Sequence, residues 1–254
     1  MRFQVHLPCN ELMPFVKQLI ISENEQAAAY TVLPDTALVI GFQYCGRLSY
    51  MNEGRENSLS AGGITGLTDT YRIFRNTAGV GSVLVIFRES GAARLLRRPL
   101  HELFGQSLSL EHFFPRALLA ELEERLAAAA SDLSRIRLVE SFLITHLQER
   151  SPDLLVSRAL EFIHRSKGTI RIQELASLLN TSASPLEKRF RAEVGASPKK
   201  FATIVRSRHM LNAMENGNQG YAEYLSSFYD QAHFIKDFKK FTAVTPEQYL
   251  KRLK

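Results

Sequence analysis

The chain has 254 residues, 45% of them hydrophobic, and its 32 Lys+Arg against 26 Asp+Glu give a net charge of +6. That length supports one large domain or two ordinary ones. Two cysteines, Cys9 and Cys45, exclude a disulfide framework or zinc knuckle, and no apolar run approaches the roughly 18 residues of a spanning helix. With no charged-then-apolar leader either, a cytoplasmic protein with both thiols buried is expected.

From Tyr30 to Ser90 the texture is that of strands: Thr31-Val-Leu, Ala37 to Tyr44, Thr70 to Arg75 and Ser82 to Arg88. Tyr71 and Ile73 alternate with polar neighbours, as in a sheet with one wet face, and Gly62, Gly63, Gly66, Gly79 and Gly81 read as turn residues. Pro34-Asp35 and Gly54 fit hairpin connections, and about six to eight strands in a small antiparallel sandwich or barrel are expected.

After Arg88 the period turns helical, weakly at Ala92 to Arg97 and clearly from Pro115. Leu118, Leu119, Leu122 and Leu126 form one apolar stripe; Leu133, Ile136, Val139, Leu143, Ile144 and Leu147 form a second. These two helices cover the sheet, or they also pair with a second subunit, and both readings stand. Ser151-Pro152-Asp153 marks a boundary. The expected division is a β-rich module over 1–115, a helical connector or dimerisation segment over 116–150, and an all-helical domain over 153–254, an α+β protein overall.

Charge separates the halves. Residues 1–150 hold 15 Lys+Arg against 16 Asp+Glu, and residues 151–254 hold 17 against 10, so the entire basic surplus lies in the helical part. Such an excess attracts phosphates whatever the base sequence. Helices are expected near 154–165, 171–179, 184–194, 198–215, 221–227, 231–241 and 246–252.

Within this region a pattern recurs at an offset of 48 residues: Phe190 with Phe238, Arg191 with Lys239, Ala196 with Val244, Ser197 with Thr245, Pro198 with Pro246 and Phe201 with Tyr249. One supersecondary unit therefore occurs twice. The first unit runs from Ile172 to Leu179, breaks at Asn180-Thr-Ser182, and restarts at Ser184-Pro-Leu-Glu187 with the spacing of a capping box, Ser182 being an alternative cap. Asn180 tolerates the left-handed backbone of such a turn. At about 100° per residue, Leu186, Phe190 and Val194 point inward and leave Ser184, Glu187, Lys188 and Arg191 outward.

The second unit runs Tyr221 to Ser226, turns near Ser227 to Tyr229, and restarts at Asp230, a good N-cap. Phe234, Phe238 and Phe241 make its buried seam. Gln231, Ala232, Ile235, Lys236 and Lys239 then face outward. An outward isoleucine between polar neighbours makes sense in a DNA major groove, where apolar side chains meet thymine methyls, glutamine suits adenine and lysine suits guanine or phosphate. The 18-residue helix between the units spans about 27 Å, approaching the repeat of about 34 Å between major-groove faces.

Phe228 to Tyr249, supported by Leu186 to Lys199, resembles the DNA-binding domain of the AraC/XylS family of bacterial transcription regulators, whose hallmark is a tandem helix-turn-helix. Ser227, Ala243 and Ala222-Glu-Tyr-Leu-Ser depart from that pattern, where the family commonly has glycine, glycine and an Ile/Leu-Ala pair. Pro34-Asp35, Leu84 to Arg88 and Arg98 to Leu103 are similar to the β-rich effector domain of such regulators. The resemblance implies a cupin-like barrel or sandwich, dimerising helices, double-stranded DNA as partner, a small-molecule effector and no membrane. The alternative is a small-molecule sensor whose helical domain binds a protein partner instead of operator DNA.

Enzyme signals are lacking. The seven histidines avoid the strand-rich stretch, and there is no GxSxG, no phosphate-cradling Gly-Lys-Ser/Thr and no Cys beside an activating His, so neither a metal nor another cofactor is expected.

Overall fold

The computed structural model describes residues 1–52, 54–216 and 231–253. Ten strands are found among them: β1 (Arg2–His6), β2 (Val16–Asn24), β3 (Ala28–Val32), β4 (Val39–Cys45), β5 (Leu48–Asn52), β6 (Arg55–Ser58), β7 (Gly62–Thr65), β8 (Arg72–Asn76), β9 (Val80–Phe87) and β10 (Ser107–Ser109). They form a six-stranded sheet in the order β1-β2-β9-β4-β7-β10 and a four-stranded sheet in the order β3-β8-β5-β6. The result is a two-sheet sandwich rather than a closed barrel.

β1 and β2 precede the stretch read as strands, and β1 carries His6. Gly54 does close a hairpin, in left-handed geometry at φ 78°, between β5 and β6. Pro34-Asp35 does not, because β3 and β4 lie in different sheets and the connection crosses between them. Gly62, Gly63 and Gly81 lie inside strands instead of turns; at Gly81 a Cβ would run into the Tyr44 ring. Cys45 is exposed and Cys9 partly exposed, against the expectation of two buried thiols.

One face of the six-stranded sheet is sealed. Leu19, Ile21, Ile40, Phe42, Ile64, Val83 and Val85 are at most 1% exposed and pack beneath helices α1 (Arg116–Ala128) and α2 (Asp132–His146). Phe42 meets Phe142 edge-on at 5.7 Å, and Phe142 meets Phe114 at 5.2 Å. Each such fully buried side chain stabilises the fold by about 1.5–3 kcal/mol. Leu119, Leu122 and Leu126 are buried as their spacing requires, whereas Leu133 and Ile144 of the second stripe are exposed and Phe142 is the core residue that the stripe overlooked.

The other face of that sheet carries Ile20, Val39, Gly41, Thr65, Leu84 and Ile86, all partly exposed. The four-stranded sheet lies across it. Arg72 of β8 reaches Ser107 of β10 at 2.8 Å, and Asn76 accepts from Asn24 of β2 at 3.3 Å.

The helical region comprises α3 (Leu154–Arg165), α4 (Ile172–Leu178), α5 (Ala183–Val194), α6 (Pro198–Glu215), α7 (Gln231–Thr242) and α8 (Pro246–Leu253). The helix read at 221–227, the turn at 227–229 and the Asp230 cap lie outside the described residues. One apolar core runs from the sheet through α1 and α2 into α3, α4, α5 and the first half of α6; a second gathers Ile204, Met210, Leu211 and Met214 of α6 with Phe234, Phe238 and Phe241 of α7. Helix α6 therefore ties the two cores together. Among the described residues no helix is long and apolar enough to cross a membrane.

Candidate nucleic-acid interface

Helices α4 and α5 enclose the first turn, with Asn180 left-handed at φ 50°. Helix α5 starts two residues earlier than its capping-box spacing predicts. Ser182 is the N-cap, without a side-chain cap bond, and Ser184 sits within the first turn. Pro185 tolerates this because a first-turn N–H has no helical partner to lose. Glu187 reaches Arg191 at 3.6 Å, four residues on, instead of closing a capping box.

Leu186, Phe190 and Val194 are fully buried. Ser184, Glu187, Lys188 and Arg191 are all exposed on the opposite face. Arg189 is held from the side: its guanidinium forks onto Asp153 with two contacts of 2.7 Å, while Asp153 also caps α3 through the Val156 amide at 3.1 Å. Burial works to raise the Asp153 carboxyl, but Arg189 and the Val156 and Leu155 amides outweigh it and hold the group below its ordinary range.

The 48-residue repeat is realised atom by atom at the end of each second helix. Gly195 and Ala243 both adopt left-handed backbone, at φ 93° and 71°, and their amides bond the Arg191 and Lys239 carbonyls at 3.1 and 2.9 Å. Ser197 Oγ then accepts from the Lys200 amide and Thr245 Oγ1 from the Gln248 amide, each at 3.3 Å, starting α6 and α8. Gln248 returns the contact to the Thr245 amide at 3.0 Å, which completes a capping box. Tyr249 donates to Glu215 at 2.5 Å, and burial together with that carboxylate pushes its hydroxyl up to about 12.

In α7, Phe234, Phe238 and Phe241 are at most 4% exposed, as their spacing predicts. Ile235, Lys236 and Lys239 stand exposed on the other side, Ile235 at 45%. Gln231 and Ala232 lie in the first turn of this helix, one side of which is thus apolar and the other cationic. Lys188, Lys236 and Lys239 have no ion-pair partner among the described residues.

Sequence reasoning missed the residues that bind the reader to the sandwich. Lys240 donates to Asp69 at 3.0 Å, and Lys200, at the start of α6, approaches the same carboxylate at 4.0 Å while lying over the Phe104 ring. The Lys240 carbonyl accepts from the Tyr71 amide at 3.3 Å, Arg208 pairs with Asp35 at 3.3 Å, and Leu33 packs on the second core. Two loops of the sandwich, 33–35 and 69–71, thus grip the second unit. No local signal points to pairs so far apart in the chain.

Residues 175–252 match the family described as a helix-turn-helix domain, and residues 4–109 match a domain family of unknown function. The Msm operon regulatory protein of Streptococcus mutans is 29% identical over 157 residues, covering 60% of this chain; that stretch spans 56% of the relative's own length. Residues 175–252 thus carry a helix-turn-helix domain, and the chain is similar to AraC/XylS-type regulators. Among solved structures, ToxT from Vibrio cholerae is similar at a TM-score of 0.46 and 16% identity, covering 93% of this chain and 97% of that one. The C-terminal domain of AraT, a response regulator from Geobacillus stearothermophilus, is similar at a TM-score of 0.36 and 24% identity over 39% of this chain and 86% of that one. Against the AraC/XylS pattern that the sequence resembles, Ala243 is the notable departure: it adopts the backbone of a glycine without being one.

Proposed function

We propose that the protein is a cytoplasmic, sequence-specific DNA-binding transcription regulator that sets α5 and α7 into neighbouring major-groove segments. The observation that carries this is the repeated unit with its exposed cationic row on each second helix, Lys188 on one and Lys236 with Lys239 on the other. In this reading Glu187 and Lys188, and Gln231, Ile235 and Lys236, meet base edges, with Ser184, Arg191, Ala232 and Lys239 at the groove walls. Helix α6, 18 residues and about 27 Å long, is the spacer.

The sandwich, residues 1–115, is the sensing module, residues 116–150 connect and carry the contact for a second copy, and 153–254 read DNA. The protein acts by binding and not by catalysis. A small molecule acts from the space between the sheets, through the loops that hold Lys240.

Titrating duplex binding against salt tests the reading. A reader that neutralises several phosphates loses affinity with a log–log slope of about −0.9 per phosphate. A flat salt response, with capture of a protein partner instead, would favour the sensor alternative.

A further inference from the structure

The connection between the sandwich and the first reader unit carries three arginines within five residues, Arg94, Arg97 and Arg98, although residues 1–150 as a whole hold 15 Lys+Arg against 16 Asp+Glu. Arg94 closes the 3-10 turn Gly91–Arg94; its carbonyl accepts from the Gln148 amide at 2.8 Å, and its guanidinium lies 5.2 Å from the centre of the Phe15 ring. It is fixed to the fold. Arg97 and Arg98 follow as exposed side chains that form no ion pair among the described residues, although Glu102 lines the same small recess as Arg98.

The next turn, Leu100–Leu103, is anchored at both ends and so places this pair. Gly195, the left-handed residue that ends α5, lies so close to Leu100 that a Cβ there would come within 3.2 Å of the Leu100 carbonyl oxygen, while Lys200 of α6 lies 4.0 Å from the centre of the Phe104 ring. Residues 100–104 therefore run beside 195–200 in the same direction, which leaves Arg97 and Arg98 on the α5 side of the contact. Two residues of chain span at most about 7 Å, so the Arg98 backbone stays within that distance of Leu100. Gly195 is also where the outward stripe of α5 ends: Ser184, Lys188 and Arg191 stand at helical spacing along it, and Gly195 follows Arg191 by four. An arginine pair beside Gly195 thus prolongs the cationic row of the reader helix. Glu193, the carboxylate of that last turn, is 6% exposed and already bound to Arg150.

We propose that Arg97 and Arg98 form a second DNA-contacting surface, contributed by the β-rich half of the chain, which grips the phosphate backbone bordering the groove segment read by α5. This rests on the DNA-reading function proposed above and adds a surface to it. Phosphate suits the pair because a guanidinium fork matches its oxygens and because contacts to the backbone need no particular base sequence. The sandwich then binds the duplex directly instead of only holding the reader.

The test measures duplex affinity of the full chain against salt by fluorescence anisotropy, on random-sequence DNA and on fragments selected from it. Arg97→Ala combined with Arg98→Ala should lower the log–log slope by about 1.8, at about 0.9 per phosphate contact, so that between about 50 and 200 mM salt the wild type loses about twelvefold more affinity than the variant. The preferred sequence should not change, and neither should Tm, because both side chains are exposed. Arg97→Gln with Arg98→Gln should behave like the alanine pair, and Arg97→Lys with Arg98→Lys should restore most of the slope. Arg47→Ala with Arg55→Ala removes equal charge from exposed positions outside this junction and should leave the slope as it was. An unchanged slope in the Arg97 and Arg98 variants, as expected of a surface for an acidic protein, or an equal fall in the Arg47 and Arg55 variant, would overturn the surface. Either result leaves the DNA-reading proposal standing while the wild type keeps its steep slope; a wild type that binds no duplex overturns both.

Discussion

Asp69, on the loop entering β8, accepts a hydrogen bond at 3.0 Å from Lys240 of the second reader helix, a residue 171 positions away in the chain. Lys200 approaches the same carboxylate at 4.0 Å, so Asp69 offsets the charge of two lysines. The pair is partly exposed, so it is worth only about 0.2–1 kcal/mol. That is the scale of a contact that biases a reader without locking it.

Asp69→Ala is therefore expected to tighten duplex binding by about two- to fivefold at low salt and to steepen the salt dependence by as much as one phosphate per freed lysine, about 0.9 in slope each. Fluorescence anisotropy across a salt series reads both quantities. Unchanged affinity and slope would mean that the contact has no part in control.

Lys236→Ala should cost about 1–3 kcal/mol on a preferred site and alter base preference there, whereas Lys239→Ala, exposed and assigned to a groove wall, should weaken all sequences alike. Parallel binding to a pool of sequence variants separates a base contact from a phosphate contact.

Ala243 stands at φ 71°, where only glycine is at ease. Ala243→Gly is expected to stabilise the protein by about 0.5–1 kcal/mol, raising Tm. The equivalent change in the first unit has the opposite sign. Gly195→Ala meets the same backbone penalty and brings a Cβ to 3.2 Å from the Leu100 carbonyl oxygen, so it should lower Tm.

Asp153 joins α3 to α5 through Arg189, and its pKa is held low in the folded state. A carboxyl with a depressed folded pKa contributes its full stability above its unfolded value, about 4, and loses it as pH falls through the lower folded value. Asp153→Ala should then cost about 1–2 kcal/mol near neutrality by removing cap and pair together. The gap to the wild type should shrink below about pH 4. Urea unfolding of both proteins at several pH values checks the sign.

The reader region is legible in sequence to within a residue or two because its signals are local: Ser197-Pro198 opens α6, Asn180 turns the first unit, and phenylalanines at helical spacing mark the seams. The Ser182 start of α5 is the exception, since a proline fits anywhere in a helix's first turn and so fails to fix the cap. The sandwich is less legible. β1 is exposed along most of its length and carries no buried–exposed alternation, and the crossover at Pro34-Asp35 looks locally like any tight turn. The faces carrying Lys188, Ile235, Lys236 and Lys239 follow from helical periodicity. The grip of Asp69 and Asp35 on Lys240, Lys200 and Arg208 has no local trace, because each pair joins residues distant in sequence and adjacent only in the fold.

Selection of bound fragments from a random duplex pool bears most directly on two reader helices held by one spacer. Two enriched blocks with centres about 10–11 base pairs apart are expected, the second fading in Lys236→Ala and the first persisting. A single enriched block that survives Lys236→Ala, or no enrichment at all, would contradict the tandem reading.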